Sequence, residues 1–223
     1  MNIYGRGPIW HVIREVRGTA LNILDVGCGA GATGAELHKM GHTVYGLDIN
    51  PEAVAEASSR IKQALVLDID KEIQMPFPPK YFDLIILADV LEHLQHPKHA
   101  LEMVREHLKD DGRIIFSVPN IANYKVRWNL LLGKFDSSCA PVLEDESHIK
   151  FFTLKTLSQL LAQAGYVIDS VGSTAGIDLP LGGLHIAGVP IVQKLREFIT
   201  KCWKTMFAFQ FVIVAKKNKG NER

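Results

Sequence analysis

Cysteine is scarce in this chain, and the three that occur, Cys28, Cys139 and Cys202, lie far apart. An odd number of cysteines at wide spacing does not build the disulfide framework of a small secreted domain. The sequence also has no Cys-x-x-Cys pair and no Cys/His ligand spacing, so it predicts no structural zinc site. We therefore expect free thiols in a reducing, cytoplasmic compartment.

The chain also lacks an excess of charge and any long apolar run. Its formal net charge is +1 over 223 residues, which gives no reason to expect a nucleic acid or another polyanion as a partner. Nothing approaches 18 consecutive apolar residues, and the first residues show no basic region followed by an apolar core. The sequence therefore predicts neither a membrane span nor a signal peptide.

Short apolar runs alternate with helical patterns along much of the chain. The helical pattern that begins at Pro97 is predicted to end at Gly112. Strands that alternate with helices predict an α/β fold with a parallel, doubly wound sheet. The predicted strands are Leu21–Asp25, Thr43–Leu47, Ala64–Leu67, Phe82–Leu87, Arg113–Val118, Tyr166–Val171 and Phe207–Ala215, and the later helices are Thr153–Ala164 and 190–205.

Residues 23–34 read ILDVGCGAGATG, a strand followed by a glycine-rich turn, and two nucleotide-binding registers overlap there. Gly29-x-Gly31-x-x-Gly34 fits the fingerprint of dinucleotide-binding proteins, in which a helix N-terminus faces a pyrophosphate. The alternative register, Asp25-x-Gly27-x-Gly29-x-Gly31, places a carboxylate where an anionic phosphate would be repelled. The glycines alone are compatible with both.

Acidic residues follow several of the predicted strands. Ligands of open parallel sheets bind beyond the carboxyl ends of the strands, so Asp25, Asp48, Asp68 and Asp89 are expected to surround one opening. A negative opening disfavours a pyrophosphate and favours a ligand that carries a sulfonium and an ammonium group. Asp70, which stands beside Lys71, is interpreted as a solvated loop residue.

Four segments carry a family resemblance: LDVGCGAG (24–31), VYGLDINPEAV (44–54), MPFPPKYFDLIILADVLEHLQHP (75–97) and HLKDDGRIIFSVPN (107–120). They resemble class I S-adenosylmethionine-dependent methyltransferases, above all the small-molecule branch that includes enzymes of ubiquinone and menaquinone biosynthesis. The segments SVPNIANYKVRWNLLLGKFD (117–136) and SHIKFFTLKTLSQLLAQAGY (147–166) resemble a bacterial subgroup linked to surface-polysaccharide synthesis or to methionine biosynthesis. The resemblance implies one domain over 1–223, with a Rossmann-like, doubly wound, seven-stranded and mostly parallel sheet whose last strand is antiparallel.

The resemblance also implies a donor, S-adenosyl-L-methionine, which leaves as S-adenosyl-L-homocysteine, and a set of residues that contact it. Asp25 would lie near the methionine ammonium group, and Asp48 would bind the ribose hydroxyls. The glycines would let the backbone approach the ligand where a side chain would clash. The expected cofactor contacts are Asp25, Gly27, Cys28, Gly29, Gly31, Asp48, Ile49, Asp68, Ile69, Ala88, Asp89 and His93.

Methyl transfer to a hydroxyl or carbon requires loss of a proton, and three histidines are candidate bases: His93, His96 and His148. His148 is the preferred one, because His-Ile-Lys-Phe-Phe follows the variable segment and matches a His-x-x-Phe-Phe feature of the subgroup. The alternatives are that His148 only anchors that segment, or that proximity alone drives the reaction.

Asp89-x-x-Glu92-His93 resembles the Glu-x-x-Glu-His metal cluster of small-RNA 2′-O-methyltransferases, with Asp89 in place of the first glutamate. The neutral charge balance does not favour an RNA ligand, and Leu-Glu-His followed by proline also occurs in methyltransferases without a metal. We therefore expect no metal at this position.

The acceptor is expected to bind after the fifth strand, against Asn120, Tyr124, Arg127 and Trp128. Arg127 would meet a phosphate or carboxylate. The alternative is a helix packed on the core with one snorkelling arginine. Segments 1–18, 121–150 and 175–205 are predicted to cover the acceptor site, and the acceptor is expected to be a small molecule bearing a sugar, quinone-like or lipid-linked hydroxyl.

The helix predicted at the end of 175–205 has an apolar side and basic residues around it. Over 190–207 this pattern suits contact with an anionic membrane, packing on the sheet, or a homodimer interface.

Two rival functions remain at this point. An NAD(P)-dependent reductase is disfavoured by the Asp25 register and by the lack of a Tyr-x-x-x-Lys pair. A non-catalytic binding protein is disfavoured by the complete set of cofactor residues.

Overall fold

The computed structural model describes residues 7–135, 143, 145–175 and 190–221. Seven strands form one sheet in the order β3-β2-β1-β4-β5-β7-β6. All neighbouring pairs from β3 to β5 are parallel, and β7 runs antiparallel to both β5 and β6. The predicted sheet with its antiparallel last strand is confirmed. The strands are β1 (Asn22–Val26), β2 (Thr43–Asp48), β3 (Gln63–Val66), β4 (Phe82–Ala88), β5 (Leu108–Pro119), β6 (Tyr166–Ala175) and β7 (Ala208–Lys217).

The helices connect these strands and cover both faces of the sheet. A single 3-10 turn, Leu91–His93, follows β4, and another, Lys219–Asn221, follows β7. The described helices are α1 (Trp10–Ile13), α2 (Ala32–Lys39), α3 (Pro51–Ala57), α4 (Pro97–His107), α5 (Tyr124–Leu131), α6 (Leu154–Gln163), α7 (Pro190–Cys202) and α8 (Lys204–Phe207).

Two hydrophobic cores, one on each face of the sheet, explain why the central strands carry apolar residues at consecutive positions. Leu24 of β1 lies in one core with Leu101 of α4 and the buried leucines of α6. Its neighbour Ile23 lies in the other core with Leu37 of α2 and the buried residues of α1 and α3. Because successive side chains of a strand point to opposite faces, a strand covered on both faces needs no polar positions.

Local sequence signals fix several of the helix ends. Asn50 caps α3 through its side-chain oxygen, which accepts hydrogen bonds from the backbone of Glu52 at 2.9 Å and of Ala53 at 3.2 Å. Thr153 and Thr156 form a capping box at the start of α6. Gly165 follows that helix with a φ of +81°, a conformation that favours glycine.

The predicted end of α4 at Gly112 is wrong. The helix ends at His107, and Leu108 already pairs with Phe82 of β4. The register between β4 and β5 then shifts, so that Leu84 pairs with Arg113 and the intervening residues bulge. A methyl group added to Gly112 would lie 2.7 Å from the Leu108 side chain, so the glycine serves this bulge rather than a helix end.

The single helix predicted over 190–205 is also wrong at its end. α7 stops at Cys202, and Trp203 has non-helical backbone angles before the short helix α8. Lys204, one of the basic residues of that predicted helix, donates a hydrogen bond to the carbonyl of Val171 in β6. Lys217 belongs to β7, and its ammonium lies 3.7 Å from the Asp110 carboxylate.

Candidate functional site

The strand order reverses between β1 and β4, and the loops that follow β1, β2 and β4 meet there. From β1 the sheet grows in one direction through β2 and β3, and from β4 in the other through β5. Loops at such a reversal diverge and leave a crevice, the usual ligand site of open α/β sheets. The predicted cofactor residues lie along this edge.

The glycine loop after β1 has a backbone conformation that disfavours residues with a side chain. Gly27, Gly29 and Gly31 have φ angles of +72°, +52° and +78°, all in the left-handed region. A methyl group on Gly27 would lie 2.6 Å from Cγ2 of Val90, and one on Gly31 would lie 3.0 Å from the Ala57 backbone. The loop thereby brings main-chain atoms to the crevice without side chains in front of them.

Cys28 turns its side chain away from this opening. Its sulfur lies so close to Gly46 of β2 that a methyl group on that glycine would come within 2.6 Å of it. Burial, together with the charges of Asp25 and Asp48, raises the pKa of the thiol well above its usual range. A contact of Cys28 with a ligand would therefore have to be made by its backbone.

Asp48, the last residue of β2, holds the glycine loop in place. Its Oδ2 accepts a hydrogen bond from the backbone of Gly29 at 2.8 Å, and its Oδ1 accepts one from Asn50 at 2.9 Å. Each carboxylate oxygen can accept a second hydrogen bond, so the residue retains capacity for two ligand hydroxyls. Ile49 beside it is 58% exposed, an apolar surface at the crevice that the core does not use.

Asp25 is the most buried of the four acids predicted at this edge. It is buried, and no hydrogen bond or ion pair to its carboxylate occurs within the described ranges. Burial, and secondarily the charge of Asp48, raises its pKa to about 7. A buried carboxyl of this kind is half ionised near neutral pH and would be stabilised as a carboxylate by a cationic group placed next to it.

The residues after β3 differ in their exposure and in their partners. Asp68 forms an ion pair with Lys71 at 2.7 Å and remains partly exposed. Ile69 is buried in the core, so only its backbone can face a ligand. Asp70 is not the solvated residue expected from the sequence, because its two oxygens accept hydrogen bonds at 2.7 Å from the backbone of Gln95 and of His96, just before α4.

Asp89, directly after Ala88 at the end of β4, has a φ of +55°, which is unusual for a residue other than glycine. Its Oδ1 accepts hydrogen bonds from Ser117 Oγ at 2.6 Å and from Gln210 Nε2 at 2.9 Å. The sequence did not point to these two residues, since they come from β5 and from the antiparallel β7. They fix the backbone of the loop that leads to His93.

A second segment of chain packs against this loop. The carbonyl of Glu92 accepts hydrogen bonds from the backbone of Ile149 at 2.9 Å and of Lys150 at 3.0 Å. Nδ1 of His93 lies 3.1 Å from the carbonyl of Ser147 and 3.0 Å from its hydroxyl. These contacts bring His148, the preferred catalytic candidate, next to His93.

The two imidazole rings lie 4.8 Å apart between centroids. Burial lowers the pKa of His93 below its ordinary value. One ligand atom each of Glu92, His93 and His148 lies within 4.8 Å of the others. Asp89 is not part of this group. Glu92 and His93 instead lie close to His148, which is distant from them in the sequence but near them in space. His96 lies apart from them, beside Asp70.

The predicted acceptor residues lie at the start of the segment after β5. Asn120 is buried, and its amide donates to the carbonyls of Ala208 at 3.0 Å and Thr205 at 3.3 Å, so its side chain joins β5 to β7. In α5, the Tyr124 ring packs 5.8 Å from Phe207. Arg127 and Trp128 are exposed, and Nε of Arg127 donates to the carbonyl of Ala122 at 2.6 Å.

One further residue at this edge was not found from the sequence. His11 of α1 is influenced by the charge of Asp89, and burial is the main cause that lowers its pKa. Its Nε2 is buried and has no hydrogen-bond partner among the residues described. No local motif surrounds His11, and only the packing of α1 against the sheet reveals that it belongs here.

A family model described as a methyltransferase domain matches residues 10–171, a span that contains the glycine loop, the acids after β2 and β3, and the turn after β4. The chain belongs to this family. The class predicted from the sequence motifs is thereby confirmed, and the protein is an S-adenosylmethionine-dependent methyltransferase.

The relatives of this methyltransferase differ in the share of their length that matches it. It is 30% identical over 215 residues to the uncharacterized protein MJ1252 of Methanocaldococcus jannaschii, which is 89% of this chain and 76% of that protein. It is 25% identical over 154 residues to the mitochondrial ubiquinone biosynthesis O-methyltransferase of Schizosaccharomyces pombe. That match includes 67% of this chain and 56% of the relative, so the chain spans little more than half of that enzyme.

A solved structure shares the fold of the methyltransferase. The S-adenosylmethionine-dependent methyltransferase from Archaeoglobus fulgidus superposes with a TM-score of 0.65 at 20% identity, over 94% of this chain and 91% of that one. Within the part of the chain that the structure describes, no helix combines the length and the apolar character needed to cross a membrane.

Proposed function

We propose that this methyltransferase binds S-adenosylmethionine in the crevice between β1 and β4 and transfers its methyl group to a hydroxyl of a small molecule. The arrangement of Asp25 and Asp48 around a left-handed glycine loop carries the proposal. In the reaction the methyl carbon leaves sulfur and bonds to the acceptor oxygen, the hydroxyl proton is lost, and S-adenosylhomocysteine departs.

Each part of the donor has a matching group in the crevice. The buried carboxyl of Asp25 would pair with the methionine ammonium group, and Asp48 would accept from the ribose hydroxyls. The exposed side chain of Ile49 would cover one face of the adenine, while Asp68 and the backbone of Ile69 would meet its edge. The backbones of Ala88 and Asp89 and the ring of His93 would lie at the reactive end.

The acceptor class rests on the acceptor segment and on the relatives. A hydroxyl acceptor is supported by the similarity to the ubiquinone biosynthesis O-methyltransferase, and a sugar, quinone-like or lipid-linked molecule fits the partly apolar surroundings of Tyr124 and Trp128. Asn120 would contribute to the acceptor site indirectly, because its amide links the end of β5 to the start of β7. Contacts of 190–207 with a membrane or a second subunit stay predictions, since side chains in half of α7 lie outside the described residues.

The cofactor assignment is tested by calorimetry with S-adenosylhomocysteine and with NADH. We expect the wild type to bind S-adenosylhomocysteine and not NADH. Asp48→Asn should weaken that binding about 10–100-fold, because one carboxylate then no longer accepts charge-assisted hydrogen bonds from the ribose. Glu52→Gln removes an exposed acid nearby and should leave the affinity unchanged. Unchanged binding in Asp48→Asn would refute the ribose role, and tight binding of NADH alone would refute the proposed function.

His148 is the residue that we assign to activation of the acceptor hydroxyl. A positioned side chain that helps remove a proton is typically worth about 10²–10⁴-fold in rate, so His148→Ala should lose that much methyl transfer. Its affinity for S-adenosylhomocysteine should stay within about twofold. The assay is transfer of a radiolabelled methyl group to acceptors found by screening cell extracts, and His99→Ala is the matched control. Full turnover of His148→Ala would leave the residue as an anchor only.

A further inference from the structure

The turn after β4 and the segment 145–150 bring together three side chains that each offer a metal-ligand atom. These side chains are Glu92, His93 and His148, and one ligand atom from each lies within 4.8 Å of the other two. Glu92 is buried and the two histidines are partly buried. We propose that they bind a divalent transition-metal cation, Zn²⁺ or a cation of similar preference, at the reactive end of the crevice.

The donor set selects the class of ion. Two imidazoles and one carboxylate are the ligands of catalytic zinc sites and of sites for other first-row metals, whereas Mg²⁺ and Ca²⁺ prefer oxygen ligands alone. Three protein ligands also leave at least one position open for another oxygen. This site therefore differs from a closed structural site, which uses four protein ligands.

The spacing is close to what such an ion needs. Ligand atoms about 2.1 Å from a tetrahedral ion lie roughly 3.4 Å from one another. Binding of an ion would therefore draw the three ligand atoms closer together than the 4.8 Å within which they lie in its absence.

The surroundings of the histidines fit metal ligation as well. A metal-bound histidine nearly always donates its second ring N–H to a carbonyl or a carboxylate, which fixes the ring and its tautomer. A carbonyl can only accept, so the 3.1 Å contact of His93 with the Ser147 carbonyl places the hydrogen on Nδ1 and directs the lone pair of Nε2 elsewhere. Nε2 of His148 lies 3.8 Å from the carboxylate of Asp145, which is positioned to orient that ring.

The segment that supplies His148 is held independently of any ion. Two hydrogen bonds from the backbone of 149 and 150 to the Glu92 carbonyl fix its position, and the backbone of Ser147 donates to Asp145 Oδ1 at 3.0 Å. The site is thus organised before an ion arrives, which lowers the cost of binding.

The proposed role of the ion deepens the proposed function and depends on it. An acceptor hydroxyl that occupies the open position becomes more acidic, because the cation stabilises the oxyanion. The proton passes to solvent, the oxyanion attacks the methyl carbon, and the carbon–sulfur bond breaks as the carbon–oxygen bond forms. His148 would then activate the acceptor as a metal ligand, and His93 would be equally necessary.

The test uses the full chain, purified without a histidine tag and treated with a chelator. We expect Co²⁺ titration to give visible absorption bands typical of nitrogen and oxygen ligation, with one ion per chain, and Zn²⁺ to displace it. His93→Ala and His148→Ala should each bind Co²⁺ at least about 100-fold more weakly, and Ser147→Ala, which removes only a supporting hydroxyl, about tenfold or less. His99→Ala should bind as the wild type does.

Binding of S-adenosylhomocysteine, measured on every variant, shows whether each one is folded and separates the two proposals. A wild type that binds S-adenosylhomocysteine but no Co²⁺ or Zn²⁺ would overturn the metal site and leave the proposed function intact. Equal Co²⁺ affinity in His148→Ala and the wild type would also overturn it. Metal binding without methyl transfer to any acceptor would instead count against the proposed function alone. Glu92→Gln, which keeps the size of the side chain, should lose the ion if the carboxylate is a ligand.

Discussion

Replacing Asp25 by asparagine should stabilise the free protein at pH 8 and weaken its binding of S-adenosylhomocysteine by about 10²–10³-fold. Both effects have one cause, a buried carboxylate whose only nearby charges within the described structure are negative. The cofactor's ammonium group would supply the missing positive charge. Without the cofactor, the carboxylate costs free energy that asparagine does not.

The sign of the stability change depends on pH in a defined way. The pKa of Asp25 is raised from 3.8 to about 7 in the folded state. Protonation of the carboxyl therefore favours the folded state fully below about pH 4, and this contribution is lost as the pH rises to about 7. The full cost, on the order of 4 kcal/mol as an upper bound, is present above pH 7. Asparagine should thus raise the melting temperature by about 5–10 °C at pH 8 and little at pH 4.

Calorimetry provides a second readout for Asp25. In the wild type, binding of the ammonium group should lower the pKa of the carboxyl, so that at pH 6 each binding event releases a proton into the buffer. The release should be absent at pH 8.5 and absent at both pH values in Asp25→Asn. Glu52→Gln again serves as the control. An Asp25→Asn protein with wild-type affinity would refute the ammonium role, whatever its melting temperature.

Gly27→Ala should destabilise the protein by about 3 kcal/mol or more and abolish measurable cofactor binding. Two penalties add: the left-handed φ of +72°, about 1–2 kcal/mol for a residue with a Cβ, and a contact of 2.6 Å with Cγ2 of Val90. The added methyl group would also push the loop from the position that Asp48 holds. Urea unfolding measures the stability, and calorimetry measures the binding.

Gly41 provides a matched control for this substitution. Its φ is +89°, and nothing lies within 4 Å of a methyl group added there. Gly41→Ala should therefore cost about 1 kcal/mol, from the backbone alone, and leave cofactor binding unchanged. In a double-mutant cycle, Val90→Ala should recover part of the loss caused by Gly27→Ala, since it removes the contact but not the backbone strain. Equal losses in Gly27→Ala and Gly41→Ala would show that the contact with Val90 is relieved at no cost.

The features that could be predicted from the sequence are those in which neighbouring residues carry the information. The sheet follows from apolar runs that alternate with helical patterns, and the burial of Ile23 and Leu24 in opposite cores shows why apolar residues occupy consecutive positions in these runs. The glycine loop and the acids Asp25 and Asp48 could be placed because parallel strands all deliver their following residues to one edge.

The features that could not be predicted depend on partners distant in the chain. Gly112 carries the same local signal for a helix end as for a bulge, and only pairing of β5 with β4 decides between them. Asp70 is followed by a lysine and resembles a solvated acid, yet its partners are two backbone N–H groups before α4. His148 lies next to His93 because the two residues that follow it donate backbone hydrogen bonds to the carbonyl of Glu92.

The hydrogen bonds that the Glu92 carbonyl accepts from Ile149 and Lys150 have a consequence for the position of His148. They tie the turn after β4 to the segment that carries this histidine. If the donor shifts the turn when it binds, the segment must follow, because both N–H groups would otherwise lose their shared acceptor. The position of His148 would then depend on the donor, and because the link is main chain, substitution of side chains would not remove this dependence.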